Sequence, residues 1–488
     1  MKTITEELQD FKSIEKIIFK IMCKVSCELM EGYLKICDQQ VLAQRDTKEY
    51  RFIRFGTTTI KTLMGEVSYT RRYYKKKTGE YVYLLDEALG IKDDCGLVSE
   101  NLIEHMVVEC SEKSYRKAAE SITELTGQAI SPMGIWSIFQ QYGQRIEKQE
   151  ERLKELSEAG IFGQIAEIIG AILFEEYDDV WLSTQKEKRH REGEPEGENQ
   201  KKAGKKPLHV GIAYTGWRQA KDGRYNTVDK IAYASYEDIQ SFLSGFEILK
   251  QQYFDIDGIQ QRVTNGDGAS WIRIAAENID SILQLDPFHR DRAIIRAIRD
   301  KNEQNRVFEA INDKDIPKTL QIIYGMITEA QDESTIKKLG ELYDYFYNNK
   351  DILLGWQERG LKFPEPPEGI VYRNLGVQES SNCNVITQRM KGRKASWSTK
   401  GAHHMAKVLC FRNTIGLDAI VGDLQELSPM AIPASALSAA KTPQYDGKGY
   451  GGAWLQAEMP FADVMTTNGR RAIQSLLSQR SISELRYI

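Results

Sequence analysis

The sequence has few cysteines and no long apolar run. Its seven cysteines are an odd number scattered over 488 residues, which argues against a disulfide framework and favours free thiols. Cys23 and Cys27 have helical spacing, but no second Cys or His pair lies at zinc-finger spacing. The apolar run from Ile168 to Phe174 falls far short of the roughly 20 residues that span a bilayer. The sequence therefore predicts no disulfide scaffold, no zinc finger and no transmembrane helix.

The N-terminus also lacks the apolar stretch of a signal peptide, because acids such as Glu6 and Glu7 occupy it. We therefore expect a cytoplasmic protein. The apolar fraction of 41% and the charged fraction of 28% are typical of a folded globular chain. A chain of 488 residues exceeds one ordinary hydrophobic core, so we expect two to four packing units.

The net charge of −4 does not by itself favour a nucleic-acid partner, but the basic residues are unevenly distributed. Residues 45–77 contain ten Lys or Arg against three acids, and residues 376–410 contain six against Glu379 alone. Local basic surfaces attract phosphate even when net charge does not. We predict DNA contacts for Arg71, Arg72, Lys75, Lys76, Lys77, Arg389, Lys391, Arg393 and Lys394. Solvated loops are the alternative interpretation of both segments.

The N-terminal third changes its pattern twice. Residues 12–44 have helical periodicity for one or two helices, and residues 50–85 are rich in Thr, Tyr, Val and Ile, which favours a small antiparallel sheet. Residues 114–143 predict a helix-turn-helix with a break at Gly127, Ser131 as N-cap and a second helix over 132–141. Two helices joined by a Gly turn also occur without any DNA role. A charged connector helix is expected over 144–158.

Strand patterns follow at 171–185, 208–217 and 230–237, then a helix over 238–253. A short strand ending in TNGDGASW, another helix and a strand over 281–290 come next. This order predicts an α/β core with the mixed sheet of a ribonuclease-H-like fold. Residues 291–360 have helical periodicity with a break at Pro317, which indicates a helical insertion.

Two more helices are predicted, over 378–389 and near 398–411, before a Gly-, Ala- and Pro-rich tail. The predicted segments are 1–44 (N-terminal helices), 45–95 (basic β region), 96–145 (helix-turn-helix region), 146–165 (connector), 166–290 (core, first part), 291–370 (helical insertion), 371–425 (core, second part) and 426–488 (tail).

Three carboxylates in this order suit two-metal phosphoryl transfer, in which paired divalent ions activate the attacking oxygen and stabilise the leaving one. Asp178 interrupts an apolar strand, where a buried carboxylate is costly unless it is paired or bound to metal. Asp179 is adjacent and should face the opposite way, although either residue could be the ligand. Asp267 follows a strand between two glycines, which allow close approach of a ligand. An ordinary turn aspartate is the alternative for Asp267.

Glu379 is the only acid in its basic stretch and begins a predicted helix, a rigid element that suits a catalytic ligand. Glu358, Glu365 and Glu368 compete with it, but they lie in or beside a Pro-rich loop. His289 is a further catalytic candidate that could contact phosphate or orient water. A packed histidine is nearly as good an interpretation of His289.

Together, TLMGEVSYTRRYY with YVYLLDE, FEEYDDVWL, NGDGASW, LDPFHR and QES followed by RMKGRKASWSTKGAHHMAKV resemble the motif series of bacterial insertion-sequence transposases of the ISLre type. That group, formerly an uncharacterised protein family, is distantly similar to Mutator-like transposases. The likeness covers residues 55–415 in the same order. It implies a DDE transposase with Asp178, Asp267 and Glu379 as the acidic triad. One departure is Asp179, where the family is expected to have Gly.

The resemblance implies an enzyme that binds the terminal inverted repeats of its own element, cleaves DNA and joins the freed end to target DNA. Its expected cofactor is a pair of Mg²⁺ ions, for which Mn²⁺ should substitute. Expected partners are double-stranded DNA and further copies of the chain, with no membrane. Two alternatives remain open. One is a ribonuclease-H-like nuclease or junction resolvase, and the other is a DNA-binding regulator with an inactive core.

Overall fold

The computed structural model describes residues 10–91, 97–159, 168–185, 204–392 and 395–415. They divide into two units. The first unit consists of the residues up to Cys110 together with Ser114–Ile138. The second consists of Ser111–Lys113 and the residues from Phe139 onward.

The first unit begins with one long helix, where the sequence allowed one or two. Helix α1 spans Phe11–Gln44, and the side chain of Asp10 caps it by accepting a hydrogen bond from Ser13 N at 2.8 Å. Strands β1 (Tyr50–Thr62), β2 (Gly65–Lys76) and β3 (Tyr81–Val82) form an antiparallel sheet in that order. Its core with α1 consists of Cys27, Leu34, Cys37, Ile60, Val67, Tyr69 and Leu85.

The helices after this sheet correct one prediction. They are α2 (Leu84–Ala88), α3 (Glu100–Glu112), α4 (Tyr115–Thr126) and α5 (Pro132–Glu158). Gly127 ends α4 with φ +68°, and Ser131 Oγ accepts from Gly134 N at 3.0 Å, as the sequence predicted. However, α5 is one continuous helix of 27 residues rather than a recognition helix and a separate connector. The two residues between the predicted helices, Tyr142 and Gly143, include no proline, and the helix continues through them.

The second unit contains a five-stranded mixed sheet. Its strands are β4 (Ile172–Ser183), β5 (Lys205–Tyr214), β8 (Ile231–Ser235), β9 (Gln261–Gly266) and β10 (Ile282–Leu285), in the order β10-β9-β4-β5-β8. The pairs β4–β5 and β5–β8 are antiparallel, whereas β4–β9 and β9–β10 are parallel. The first strand in sequence is therefore central, with a neighbour of each direction on its two sides.

Two details of this sheet differ from the predicted boundaries. A small hairpin of β6 (Gly216–Gln219) and β7 (Tyr225–Val228) lies between β5 and β8, where no separate hairpin was predicted. Strand β10 ends at Leu285 instead of residue 290, because Asp286 caps a helix whose first position is Pro287. His289 therefore lies on a helix and not in a strand.

Helices cover the sheet and form the insertion. They are α6 (Ile239–Tyr253), α7 (Ser270–Asn278), α8 (Pro287–Ala297), α9 (Lys301–Asn312), α10 (Ile316–Glu329) and α11 (Glu333–Asn348). Pro317 stands in the first turn of α10, so the predicted break is the start of a helix. Phe242 and Phe246 of α6 and Ile272 of α7 share one hydrophobic core with Tyr177 of β4 and the insertion helices.

The chain then returns to the sheet through an irregular segment. Helix α12 (Gln378–Ser381) continues into a π-helix (Asn382–Thr387) and α13 (Gln388–Met390), and α14 spans Thr399–Ile415. Thr414 Oγ1 of α14 accepts from Ala232 N of β8 at 3.0 Å. The predicted tail over 426–488 lies outside the described residues. Among those described, no helix combines the length and apolar character needed to cross a bilayer.

Candidate active site

The three carboxylates chosen from the sequence come from three separate elements of the second unit. Asp178 lies in β4, Asp267 directly follows the neighbouring strand β9, and Glu379 lies in the first turn of α12. Burial, together with the negative charges of Asp267 and Glu379, raises the pKa of Asp178 to about 6. The charge of His289 acts in the opposite direction on the same carboxyl. The fold therefore brings all four predicted side chains into one electrostatic neighbourhood.

Strand alternation separates Asp178 from Asp179. Tyr177, whose ring contacts Phe242 and Phe246, marks the face of β4 that packs on α6. Asp179 shares that face, and its Oδ1 lies 2.6 Å from His209 Nδ1. Asp178 points to the opposite face, as the two-residue period of a strand requires.

Asp267 is held in a tight connection between β9 and α7. Its Oδ1 accepts from Ala269 N at 2.9 Å, and its carbonyl accepts from Tyr345 OH at 2.8 Å. Gly268 follows with φ +90°, and a Cβ there would lie 2.8 Å from Asn349 Oδ1. The glycine is therefore required both by its backbone conformation and by close packing.

His289 is positioned by the cap of its own helix. Asp286 Oδ2 lies 2.8 Å from His289 Nδ1 and also accepts from His289 N at 3.1 Å. The hydrogen bond to Asp286, aided by the charges of Asp178 and Asp267, raises the pKa of His289. Its Nε2 is the nitrogen that remains for another partner, since Nδ1 is engaged by Asp286.

Glu379 is exposed, yet the start of its helix is anchored in the interior. The anchor is Glu176, a fully buried residue of β4 that lies on the same face as Asp178. Glu176 accepts from the backbone N–H groups of Gly376, Val377 and Gln378 at 3.1–3.2 Å. The sequence alone did not indicate a role for Glu176.

Two asparagines complete the polar contacts around the carboxylates. Asn382 Nδ2 donates to Asp178 Oδ2 at 2.7 Å from the first position of the π-helix. Asn265 Nδ2 donates at 2.8 Å both to Glu176 Oε2 and to Asp286 Oδ1. Neither asparagine was predicted, because an amide in a strand or helix has no distinctive sequence signal. A π-helical turn at this point is a feature that often marks functional sites.

The competing glutamates have other surroundings. Glu358 Oε2 accepts from Gly355 N at 2.9 Å and so closes a local turn. Glu365 lines a separate cavity of about 410 Å³ together with Trp356 and Tyr372. Glu368 is exposed in the segment that follows. The charge of Glu379, by contrast, acts on Asp178.

The donor set fits divalent metal chemically. Asp178, Asp267 and Glu379 offer hard carboxylate oxygens, the ligands that Mg²⁺ prefers. Burial is the main cause of the raised pKa of Asp178, the charges of Asp267 and Glu379 add to it, and a bound cation would favour the ionised carboxylate. Within the described residues, no three His, Cys, Asp or Glu side chains already form a metal cage. Binding of a metal ion would therefore require side chains to rotate, including the Asp178 carboxylate, which now accepts a hydrogen bond from Asn382.

Arg71 and Arg72, predicted to contact DNA, serve the fold of the first unit. Arg71 is buried, its Nε lies 2.6 Å from Asp86 Oδ2, and its guanidinium lies 3.8 Å from the centroid of the Tyr83 ring. Arg72 pairs with the buried Asp38. In this conformation both guanidinium groups are engaged by the protein, so the prediction of phosphate contacts rests on the lysines beside them.

The three lysines at the end of β2 differ in their availability. Lys76 lies 3.8 Å from Glu80 and 3.7 Å from Glu87, so its charge is partly balanced. Lys75 and Lys77 are exposed. Lys75 Nζ lies 5.4 Å from the centroid of the Tyr81 ring, which is itself 53% exposed. This end of the sheet therefore combines exposed cations with an exposed aromatic ring.

The second basic group is only partly described. Arg389 is half-buried, with its guanidinium 5.2 Å from the Trp397 ring centroid, and Lys391 is exposed. Arg393 and Lys394 lie outside the described residues. The first turns of α5 were predicted to enter the DNA major groove. They expose Met133 and Trp136, and residues 132–141 contain no Lys or Arg. DNA contact by any of these groups stays a prediction.

Relatives of similar length exist in two bacteria. A Caldanaerobacter subterraneus subsp. tengcongensis protein named UPF0236 protein TTE2489 is 24% identical over 416 residues, which cover 83% of this chain and 78% of the relative. A Streptococcus gallolyticus protein named UPF0236 protein in vanSb 3'region is 22% identical over 417 residues, covering 82% of this chain and 83% of the relative. Neither name states an activity. Residues 4–425 match the Uncharacterised protein family UPF0236, and the chain therefore belongs to that family.

Proposed function

We propose that this protein is a DNA transposase that cleaves and joins DNA by metal-dependent phosphoryl transfer in a ribonuclease-H-like core. The observation that carries the proposal is the convergence of Asp178, Asp267 and Glu379. Each of their charges acts on one site, although the residues come from distant parts of the chain. Clustered acids are costly to bury; His289 offsets the cost at Asp178 only in part, and a polyvalent cation is the usual compensation.

The topology supports the same proposal. The described sheet has three antiparallel strands followed by two parallel ones, with the first strand central, and this arrangement supports a ribonuclease-H-like core. Asp178 lies in that central strand and Asp267 at the carboxyl end of the adjacent parallel strand. The helices α9 to α11 separate Asp267 from Glu379, as expected for an insertion within such a core.

In this proposal Asp178, Asp267 and Glu379 hold the divalent ions. When bound, the ions would supply activation of the attacking oxygen and stabilisation of the leaving one. His289 faces the same neighbourhood with Nε2 available, so it can donate to a phosphate oxygen while Asp286 orients its ring. The exposed lysines at the end of β2 supply sequence-independent attraction to DNA.

The test is cleavage and joining by the full-length protein on labelled duplexes taken from either side of its own gene, with Mg²⁺. Asp267→Asn should abolish cleavage and leave DNA binding nearly intact, because it removes a charged metal ligand and leaves every cation of the basic sheet in place. Asp257→Asn is the matched control, since Asp257 is an exposed aspartate ten positions earlier. Near-normal cutting by Asp267→Asn would contradict the proposal.

Product analysis separates the alternatives. Joined products support transposition, whereas metal-dependent cleavage without joining would indicate a nuclease or resolvase. DNA binding with no cleavage in any divalent metal would indicate a regulator.

A further inference from the structure

Glu176 is the most completely hydrogen-bonded carboxylate in the vicinity of the candidate active site. It is fully buried. Its Oε1 accepts from Tyr214 OH at 2.5 Å and from Val377 N at 3.1 Å. Its Oε2 accepts from Asn265 Nδ2 at 2.8 Å and from the N–H groups of Gly376 and Gln378. All five partners donate and none carries a charge.

Strand β4 contacts the chain on both sides of Glu379, through Glu176 before it and through Asp178 after it. The three amides that bind Glu176 lie immediately before Glu379, and Asn382, which binds Asp178, lies three residues after it. Glu176 and Asp178 are two positions apart in β4 and share one face. The strand therefore holds the helix at two points, one on each side of the exposed carboxylate.

The network also reaches the histidine of the site. Asn265 bridges Glu176 to Asp286, and Asp286 in turn engages Nδ1 of His289. Gln284 Nε2 donates to Asn265 Oδ1 at 3.0 Å, which fixes the amide that forms the bridge. One buried carboxylate is thus connected to elements that present both Glu379 and His289.

We propose that Glu176 is a positioning residue that sets Glu379, and through Asn265 the Asp286–His289 pair, against Asp178. The inference rests on the proposed function, because it assigns Glu176 the task of preparing the metal ligands. A carboxylate suits five converging donors because it only accepts hydrogen bonds. A glutamine of the same shape would direct an amide N–H at one of those donors, so the start of the helix should shift.

The adjacent residue supplies a matched control. Glu175 is equally buried, but it points to the other face, where it binds Lys250 Nζ at 2.6 Å, Arg262 Nε at 2.7 Å and Tyr177 OH at 2.6 Å. Glu175→Gln removes the same charge from the same strand without touching the helix of Glu379. The Glu175→Gln variant therefore measures how much stability is lost when any buried carboxylate of this strand is neutralised.

The experiment measures Mn²⁺ binding to the full-length protein by titration calorimetry, DNA cleavage, and the melting temperature without metal. Glu176→Gln should weaken Mn²⁺ binding by about 10- to 100-fold, the usual effect of losing a residue that orients metal ligands. Glu175→Gln should lower the melting temperature and leave Mn²⁺ affinity unchanged. A second pair of variants tests the inference if the glutamine variants misfold. Tyr214→Phe removes the hydroxyl that donates to Glu176, and Tyr177→Phe removes the hydroxyl that donates to Glu175. Tyr214→Phe alone should weaken Mn²⁺ binding.

Equal Mn²⁺ affinity in the Glu176→Gln, Glu175→Gln and wild-type proteins would overturn the inference, as would equal affinity in the two tyrosine variants. In both cases, cleavage by the wild type would leave the proposed function standing. A wild-type protein that bound no Mn²⁺ and cut no DNA would overturn the proposed function and this inference with it.

Discussion

The two faces of strand β4 bury carboxylates in different ways. On the face toward α6, Glu175 lies among the cations Lys250 and Arg262, and Glu247 completes a cluster of alternating charges. On the other face, Glu176 is bound by neutral donors alone, and burial raises its pKa. Buried acids that are paired with Lys or Arg need no further partner, whereas the acids of the other face have only His289 as a cationic neighbour and can take a positive partner from outside.

The same contrast separates Asp178 from Asp179. Asp179 has His209 as its partner, while Asp178 accepts from the amide of Asn382 and is acted on by the charges of two further acids and His289. Adjacent residues of one strand therefore belong to different environments. Substituting each of the two aspartates in turn therefore separates the functions of the two faces.

Asp178→Asn should lower the cleavage rate at least about a thousand-fold, because loss of a charged metal ligand removes several kcal/mol of stabilisation and each 1.4 kcal/mol is about tenfold. Asp179→Asn should retain most of the activity, since it disturbs only the contact with His209. Single-turnover cleavage rates of the two variants measure this. A comparable loss in both would mean that the two faces do not differ in function.

Lys250→Met should destabilise the protein by about 3 kcal/mol, because breaking a buried pair leaves Glu175 with less compensation. Lys250 is 1% exposed, so water cannot replace the lost partner. Urea unfolding of the full-length protein checks the value, with Lys337→Met on the exposed face of α11 as the control. A loss below about 1 kcal/mol, the range of exposed ion pairs, would show that Glu175 does not depend on this cation.

The smallest expected effect concerns the first unit, whose exposed cations contrast with the acidic face of β4. Replacing Lys75 and Lys77 together with Ala should reduce the slope of log affinity against log salt by about 2, because each phosphate contact releases counterions. Mn²⁺ affinity should not change. Replacing Lys337 and Lys338 in the second unit removes the same charge and serves as the control. An unchanged slope of affinity against salt would mean that Lys75 and Lys77 are solvated and contact no phosphate.

Much of the fold could be predicted because hydrophobic period and capping act locally. The strand at 171–185 and the helix at 238–253 agree with β4 and α6 within a few residues. The predictions failed where two local signals competed. Residues 281–290 continue in an apolar pattern, but Asp286 and Pro287 begin a helix. The hairpin of β6 and β7 was missed because four-residue strands give too few alternations to recognise.

The candidate site was predictable to the extent that its residues are chemically unusual in their local setting. An acid within an apolar strand, as at Asp178, or between two glycines, as at Asp267, is visible in the sequence. Asn265 and Asn382 are not, because their roles depend on residues far along the chain. Arg71 and Arg72 look like part of a basic surface in sequence. Their partners Asp86 and Asp38 lie on other elements.

By itself, the sequence determined the order of helices and strands, the alternation of side chains along β4 and the presence of candidate catalytic acids in three separate segments. These properties follow from spacing along the chain and need no knowledge of distant partners. Only the tertiary structure decided which charges are paired and which are gathered together. Ion pairs, buried hydrogen bonds and mutual repulsion depend on distances of a few ångströms between residues such as Glu176 and Gly376, which lie 200 positions apart.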